Sequence, residues 1–356
     1  MKTGAAIFIC HNHYLCRMIL VTGGTGLVGM HLLMLLAEKG EPVRAIYRNA
    51  ARIDNVRQLF EMQGRASAFE AIDWQPGDVT DIPSLENVFS GVSKVYHCAA
   101  VVSFDPSEEL LLRKTNIEGT ANIVNFCLAK NVRKLCFFSS IAALGDLAVN
   151  EHHFSETTEW NPEKYHSDYA ISKYGAEMEV WRGQQEGLQT VIVNPGVIIG
   201  PLPAKADWQQ GSGRLFWETA KGMKYFTKGM TGFIGVWDVA KIAYQLMESD
   251  IRSERFVLVA ENLPFDALSR TLTTELGVRP PTVYASRWMT SLAWRADWLL
   301  SALLFRKRKL SRATAHALHS QEQYDHSKVK AALDFDFEPI ADVIRKTAVY
   351  FRETNV

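Results

Sequence analysis

The chain has no excess of charge, no long apolar run and few cysteines, and each shortage removes a class of function. Its 39 basic and 39 acidic residues cancel and the sequence pI is about 7.1, so nothing draws it generally toward nucleic acid or an anionic surface. A small molecule is the expected partner, and no nucleic-acid partner is expected. The five cysteines, Cys10, Cys16, Cys98, Cys127 and Cys136, are an odd number, and three stand in apolar runs where a thiol packs as a small hydrophobe. That points to a reducing, cytoplasmic compartment. Near the N-terminus "GAAIFIC" is too short to span a bilayer, and no convincing cleavage site follows it. Cys10, His11, His13 and Cys16 lack a second ligand pair at finger-like spacing, so no metal site is expected. Residues 1–17 read as an upstream extension or mis-assigned start without a functional part, since the first strand opens at Met18.

What remains is an ordinary globular composition, 47% apolar and 22% charged over 356 residues, enough for one large domain or two smaller ones. From Met18 to about Gly200 short apolar runs such as "MILVTG", "PVRAIYR", "KVYHCAA", "KLCFFSS" and "TVIVNPGVII" alternate with amphipathic stretches. Strands that are apolar without alternation, separated by helices, predict an α/β fold: a doubly wound parallel sheet covered on both faces. The expected division is a dinucleotide-binding domain over 18–200, its sheet completed by about 232–260. A smaller, mainly helical substrate-binding region would come from 201–231 and 261–356. Within it "RWMTSLAWRADWLLSALLFRKRKL" is rich in Trp and Leu, but Arg295 and Asp297 make a spanning helix costly. It reads first as a core or substrate-covering helix, and second as an interfacial helix touching lipid through about 288–309.

The stretch "VTGGTGLVG" offers two overlapping patterns, Gly23, Gly26 and Gly29 or Gly24, Gly26 and Gly29. Either places glycines where a strand turns sharply into a helix, allowing close backbone approach and leaving helix N–H groups for a diphosphate. The second strand should present a residue near Tyr47 or Arg48 to the adenosine ribose. No acid is there; Arg48, with Arg44 or Arg52 nearby, can pair with a 2′-phosphate. NADP(H) is therefore expected ahead of NAD(H), the plainer reading being that Arg48 is a solvated strand-end charge.

Tyr169 and Lys173 stand four residues apart in "YAISK", on one face of a helix. Upstream, "KLCFFSS" ends in Ser139 and Ser140, at the carboxyl edge where an open parallel sheet holds its ligand. A second such pair, Tyr324 and Lys328, has no comparable neighbour and is assigned to structure. Hydride transfer to a carbonyl makes an alkoxide that needs a proton donor. A free tyrosine titrates near 10, and a neighbouring ammonium lowers that value. Tyr169 is thus the candidate acid or base, Lys173 its electrostatic partner and ribose ligand, and Ser140 the group that orients the carbonyl.

These motifs, with "GDVTD", "NIEGT", "NPGVIIGP" and "VWDVA" in order, resemble the extended short-chain dehydrogenase/reductases, also called NAD-dependent epimerase/dehydratases, from Met18 to near the C-terminus. The resemblance implies a Rossmann-type fold and a cofactor cradle of Gly23, Thr25, Gly26, Leu27, Val28 and Gly29. It implies that Asp78 and Val79 meet the adenine and that Ala99, Ala100 and Val101 line the dinucleotide. Asn116 would brace the central helix beside the catalytic residues, and Pro195 and Val197 would approach the nicotinamide. A capping Asp78, packing alanines and a helix-face Asn116 are the plainer alternatives. "VRAIYR" and "NPGVIIGP" are similar to the dihydroflavonol reductase, cinnamoyl-CoA reductase and 3β-hydroxysteroid dehydrogenase-like branch rather than to sugar-nucleotide epimerases, Ile199 preceding Gly200 and Leu144 replacing a tyrosine before Gly145; the departure from the pattern is "SSIAALG", which keeps serine but is apolar after it. The expected activity is NADP(H)-dependent interconversion of a carbonyl and an alcohol on a hydrophobic molecule, by a monomer or homodimer. A nucleotide-sugar epimerase or dehydratase with bound NAD is the alternative, and a non-catalytic dinucleotide sensor the third reading.

Overall fold

A computed structural model describes residues 18–304 and 310–355. The expected extension over 1–17, with its Cys10 to Cys16 cluster, and the basic run Arg306 to Lys309 lie outside the described residues.

The first six strands are β1 (Met18–Thr22), β2 (Val43–Tyr47), β3 (Ile72–Pro76), β4 (Val92–His97), β5 (Lys134–Phe138) and β6 (Gln189–Pro195). After them come β7 (Val197–Ile199), β8 (Met230–Gly235), β9 (Glu254–Leu258) and β10 (Glu261–Pro264). The main sheet runs β9-β6-β5-β4-β1-β2-β3, and all of its pairings are parallel. Parallel strands need crossovers, and the principal helices are α1 (Leu27–Glu38), α2 (Gly119–Ala129), α3 (Asp168–Gln185) and α4 (Val236–Glu248). Farther along lie α5 (Arg287–Leu304) and α6 (Arg312–Ala317).

Side chains alternate across the sheet. Ile19, Val21, Tyr96 and Cys136 enter a core shared with α1 and α4, whereas Leu20, Val95, Leu135 and Phe137 enter a second core with α2 and α3. Both sides are therefore apolar, which is why the strands read as continuous runs. The order of strands reverses beside β1, so the loops after β1 and β4 diverge and open a crevice at the carboxyl edge.

The seventh strand is narrower than the expected 232–260, since only Glu254–Leu258 joins the main sheet. Met230–Gly235 instead lies in a three-stranded sheet between Val197–Ile199 and Glu261–Pro264. Between β6 and β7, Gly196 packs against the Gly232 backbone, where a Cβ would come within 2.4 Å of its carbonyl oxygen.

The core reading of the Trp-rich helix is corrected by its burial. Among the described residues none of α5 belongs to either main core; Trp288 and Leu303 are 66% and 64% exposed, while Thr290 and Ser301 are buried.

Candidate active site

The glycine turn is set by contact rather than by flexibility alone. Gly23 has φ +67°, and a Cβ there would stand 2.7 Å from the Ala99 nitrogen. A Cβ on Gly29 would stand 2.2 Å from the Gly23 carbonyl oxygen. Gly26 donates its N–H back to Gly23 O at 3.0 Å and precedes α1 without any side-chain cap. Gly23 and Gly29 are thus held by backbone contact, whereas a Cβ on Gly24 would meet side chains, Leu33 Cδ1 first at 2.9 Å. The first-turn N–H groups of α1, around Leu27 and Val28, are available to an anion. Thr25 sits in the turn itself.

Arg48 follows β2 directly, its exposed guanidinium 3.9 Å from the Asp78 carboxylate. Neither expected helper joins it. Arg44 bonds Asp73 and the Val88 and Ser90 carbonyls at the opposite edge of the sheet, and Arg52 pairs with Asp207 at 2.7 Å. Asp78 also caps its own loop, accepting from the Thr80 N–H at 2.8 Å. Val79 is buried and its carbonyl accepts from Asn122.

Behind Ala99 runs a closed hydrogen-bond chain. Burial holds His97 neutral, its pKa lowered to about 3, with Lys173 adding to the effect. The ring therefore has one donor and one acceptor. Ala99 N–H donates to Thr22 Oγ1 at 3.2 Å, the Thr22 hydroxyl lies 2.6 Å from His97 Nδ1, and His97 Nε2 lies 3.0 Å from Thr120 Oγ1. The Thr120 hydroxyl in turn donates to the Asn116 carbonyl, which assigns the ring proton to Nε2. The Asn116 side chain accepts from Val101 N–H at 2.8 Å and donates to Val101 O and to the Ser172 hydroxyl. Asn116 sits in a π-helical turn, Arg113–Glu118, a distortion that lets one amide face both a loop and α3. Ala100, between these fixed points, is exposed at the rim.

Ser140 follows β5, its Oγ accepting from the Ala142 N–H at 3.2 Å and standing near enough to the Tyr169 phenol to act on its pKa. Its carbonyl accepts from Asn194 at 3.0 Å, tying it to β6. Ser167 caps α3, so Tyr169 is in its first turn and Lys173 one turn on. The electrostatics differ from the simple expectation: burial raises the Tyr169 pKa, and the Ser140 hydrogen bond opposes that rise. Lys173 is buried, its Nζ donating to Phe138 O at 2.7 Å. Burial lowers its pKa to about 8, with Glu177 and Cys98 pulling the other way.

Glu177, Asn194 and Arg255 escaped the sequence reading. Glu177 is fully buried and accepts from Asn194 and, at 3.3 Å, from Arg255. Its signal was the four-residue step from Lys173 to the final residue of "SKYGAE"; Arg255, from β9, had none. Pro195 is buried at the end of β6, and Val197, half-buried, starts β7. Tyr324 bonds Glu322 and stacks on Phe154, while Lys328 holds the Arg255 carbonyl and Glu254.

A doubly wound parallel sheet with a tight glycine turn at its reversal point defines a dinucleotide-binding protein of the Rossmann type. The chain belongs to the NAD dependent epimerase/dehydratase family, whose pattern matches residues 19–255. It is 30% identical over 299 residues to a Synechocystis protein provisionally named dihydroflavonol 4-reductase, covering 82% of this chain and 83% of that one. Sterol demethylase protein B of Methylococcus capsulatus is 28% identical, covering 95% and 99%. Anthocyanidin reductase of Arabidopsis thaliana is 29% identical, covering 68% and 75%. The crystal structure of gox2253 superposes with a TM-score of 0.78 at 26% identity, covering 95% of this chain and 99% of that one. The chain is thus an oxidoreductase-class enzyme of the extended short-chain dehydrogenase/reductases, on the dihydroflavonol reductase-like branch.

Proposed function

We propose that this enzyme is an NADP(H)-dependent reductase that interconverts a ketone or aldehyde and an alcohol on an apolar small molecule. The observation that carries the reading is the buried Lys173, its Nζ anchored on Phe138 O at the carboxyl edge of β5 and one helical turn from Tyr169, with Ser140 at the same edge.

The glycine cradle and the uncapped start of α1 fit a diphosphate, and Arg48, exposed and 3.9 Å from Asp78, is the cation offered to a 2′-phosphate. When bound, the nicotinamide ring supplies or accepts the hydride. Ser140 donates to the substrate oxygen and holds it against the Tyr169 phenol. In reduction Tyr169 gives its proton to the developing alkoxide; in oxidation the phenolate takes it back. The Lys173 ammonium binds the ribose and stabilises the phenolate as it forms. Exposed Val102 and Phe104, the latter with its ring 5.5 Å from that of Tyr169, suit an apolar substrate, with further walls from 201–231 and 261–356.

Two measurements test this. Tyr169→Phe should lower kcat by at least about a hundredfold, the usual scale of one acid–base group, while nicotinamide fluorescence still reports cofactor binding. Unchanged turnover sinks the proposed role. Arg48→Ala should weaken NADPH on the order of tenfold, the worth of one charge-assisted contact, and leave NADH nearly unchanged. An unaltered NADPH to NADH ratio would return the reading to an NAD enzyme.

A further inference from the structure

Helix α5 is built inside out. Its buried positions are polar: Thr290 bonds His319 Nε2 at 2.9 Å and the Ser301 hydroxyl bonds Trp298 O. Half-buried Asp297 accepts from the Leu310 N–H at 3.0 Å. The Thr290 and Asp297 contacts, which reach beyond the helix, fix which way round it lies. The opposite face carries Trp288, Leu292, Leu299 and Leu303, all more than half exposed. Their spacing of four, seven and four residues makes one stripe along the helix, and a contiguous exposed apolar stripe marks an interaction surface.

The charges around the stripe indicate what covers it. Arg287, Arg295 and Arg312 line an open cleft of about 470 Å³ between α5 and α6. Among the described residues, none of the three pairs with a carboxylate, and no acidic residue lines the cleft. Arg295 is held by Ser291 and by the Trp294 ring, and Arg312 by the ring of Tyr165. Apolar side chains beside unpaired arginines match a layer with acyl chains below and phosphate groups above. A second copy across a two-fold axis would set these arginines near their own copies, which disfavours self-association. Among the described residues no helix is long and apolar enough to cross a membrane. A helix that lies on the surface requires no such length.

We infer that α5 is an interfacial helix that docks the enzyme on an anionic lipid surface, with Trp288, Leu292, Leu299 and Leu303 entering the acyl boundary and Arg287, Arg295 and Arg312 meeting phosphate. This is independent of the carbonyl chemistry, so Tyr169→Phe should dock as the wild type does.

The test is flotation of the full chain with vesicles of phosphatidylglycerol and phosphatidylcholine in equal parts, against phosphatidylcholine alone. The wild type should float with the mixed vesicles, less so at high salt, and its tryptophan emission should shift to the blue. Leu292→Glu with Leu299→Glu, both on the outer face, should reduce the bound fraction on the order of tenfold or more. Circular dichroism and cofactor titration establish that the variant is folded. Arg295→Glu with Arg312→Glu should weaken binding only to the anionic vesicles. A folded wild type that stays in the aqueous layer at low salt overturns the inference. So does an apolar-face variant that floats equally well, or a dimer that the same variant dissociates without any lipid.

Discussion

Lys173 carries two demands that pull its charge in opposite directions. Burial favours the neutral amine and brings its pKa down to about 8, while the Glu177 carboxylate one turn away favours the cation. Tyr169, raised by its own burial, stays protonated across neutral pH, as the proposed acid must be. The reductive kcat/KM should therefore be flat below pH 8 and fall above it, as Lys173 loses its proton. Removing the carboxylate in Glu177→Gln withdraws the effect that raises Lys173, so the fall should begin at lower pH. A pH–rate profile of both proteins checks this, and an unmoved profile would confine Glu177 to holding Arg255 and Asn194. Glu177 is a positioning residue in this account. It acts on the chemistry only through Lys173.

At the scale of elements, the cradle depends on α1 packing against the turn that precedes it. Gly29 is the contact point, since any Cβ would press on the Gly23 carbonyl oxygen at 2.2 Å. Backbone on both sides leaves little to give, so Gly29→Ala should cost about 1–3 kcal/mol or more, as overpacking does. A melt would read that cost, and cofactor titration should show weakened binding because Gly23 and the start of α1 move together. Gly40→Ala serves as the contrast: a Cβ there meets nothing within 4 Å, although its φ of +70° still strains the loop. The turn is thus an element-level device, while the Asn116 bridge from Val101 to Ser172 plays the same part for α3.

For the whole molecule, two buried histidines tie stability to pH. His97 and His31 have pKa values lowered by burial to about 3 and about 4 from an ordinary 6.5. His31 donates from Nδ1 to Leu27 O and packs edge-on against Trp237. A depressed folded value means that the unfolded chain takes up protons first. Their contribution is complete above pH 6.5 and is lost as pH falls toward 3–4. The melting temperature should drop between pH 7 and pH 4.5, with the early part of the drop smaller in His31→Phe. A wild-type melting temperature constant over that range would show that neither ring protonates on unfolding.

Local chemistry made much of this protein legible. Unbroken apolar strands announced a sheet covered on both faces because a parallel strand has no solvent side. The glycine turn and the Tyr169–Lys173 step were readable because each lies within one turn of chain, where spacing alone sets geometry. What sequence could not decide were contacts closed over long separations. Which of Arg44, Arg48 and Arg52 faces the crevice depends on Asp73 and Asp207. That β8 pairs with β7 and β10 rather than with the main sheet rests on partners far apart in the chain. Which face of α5 turns outward depends on Thr290 reaching His319. A helical wheel supplies the stripe, but only a partner from elsewhere in the chain says which side of it meets the protein.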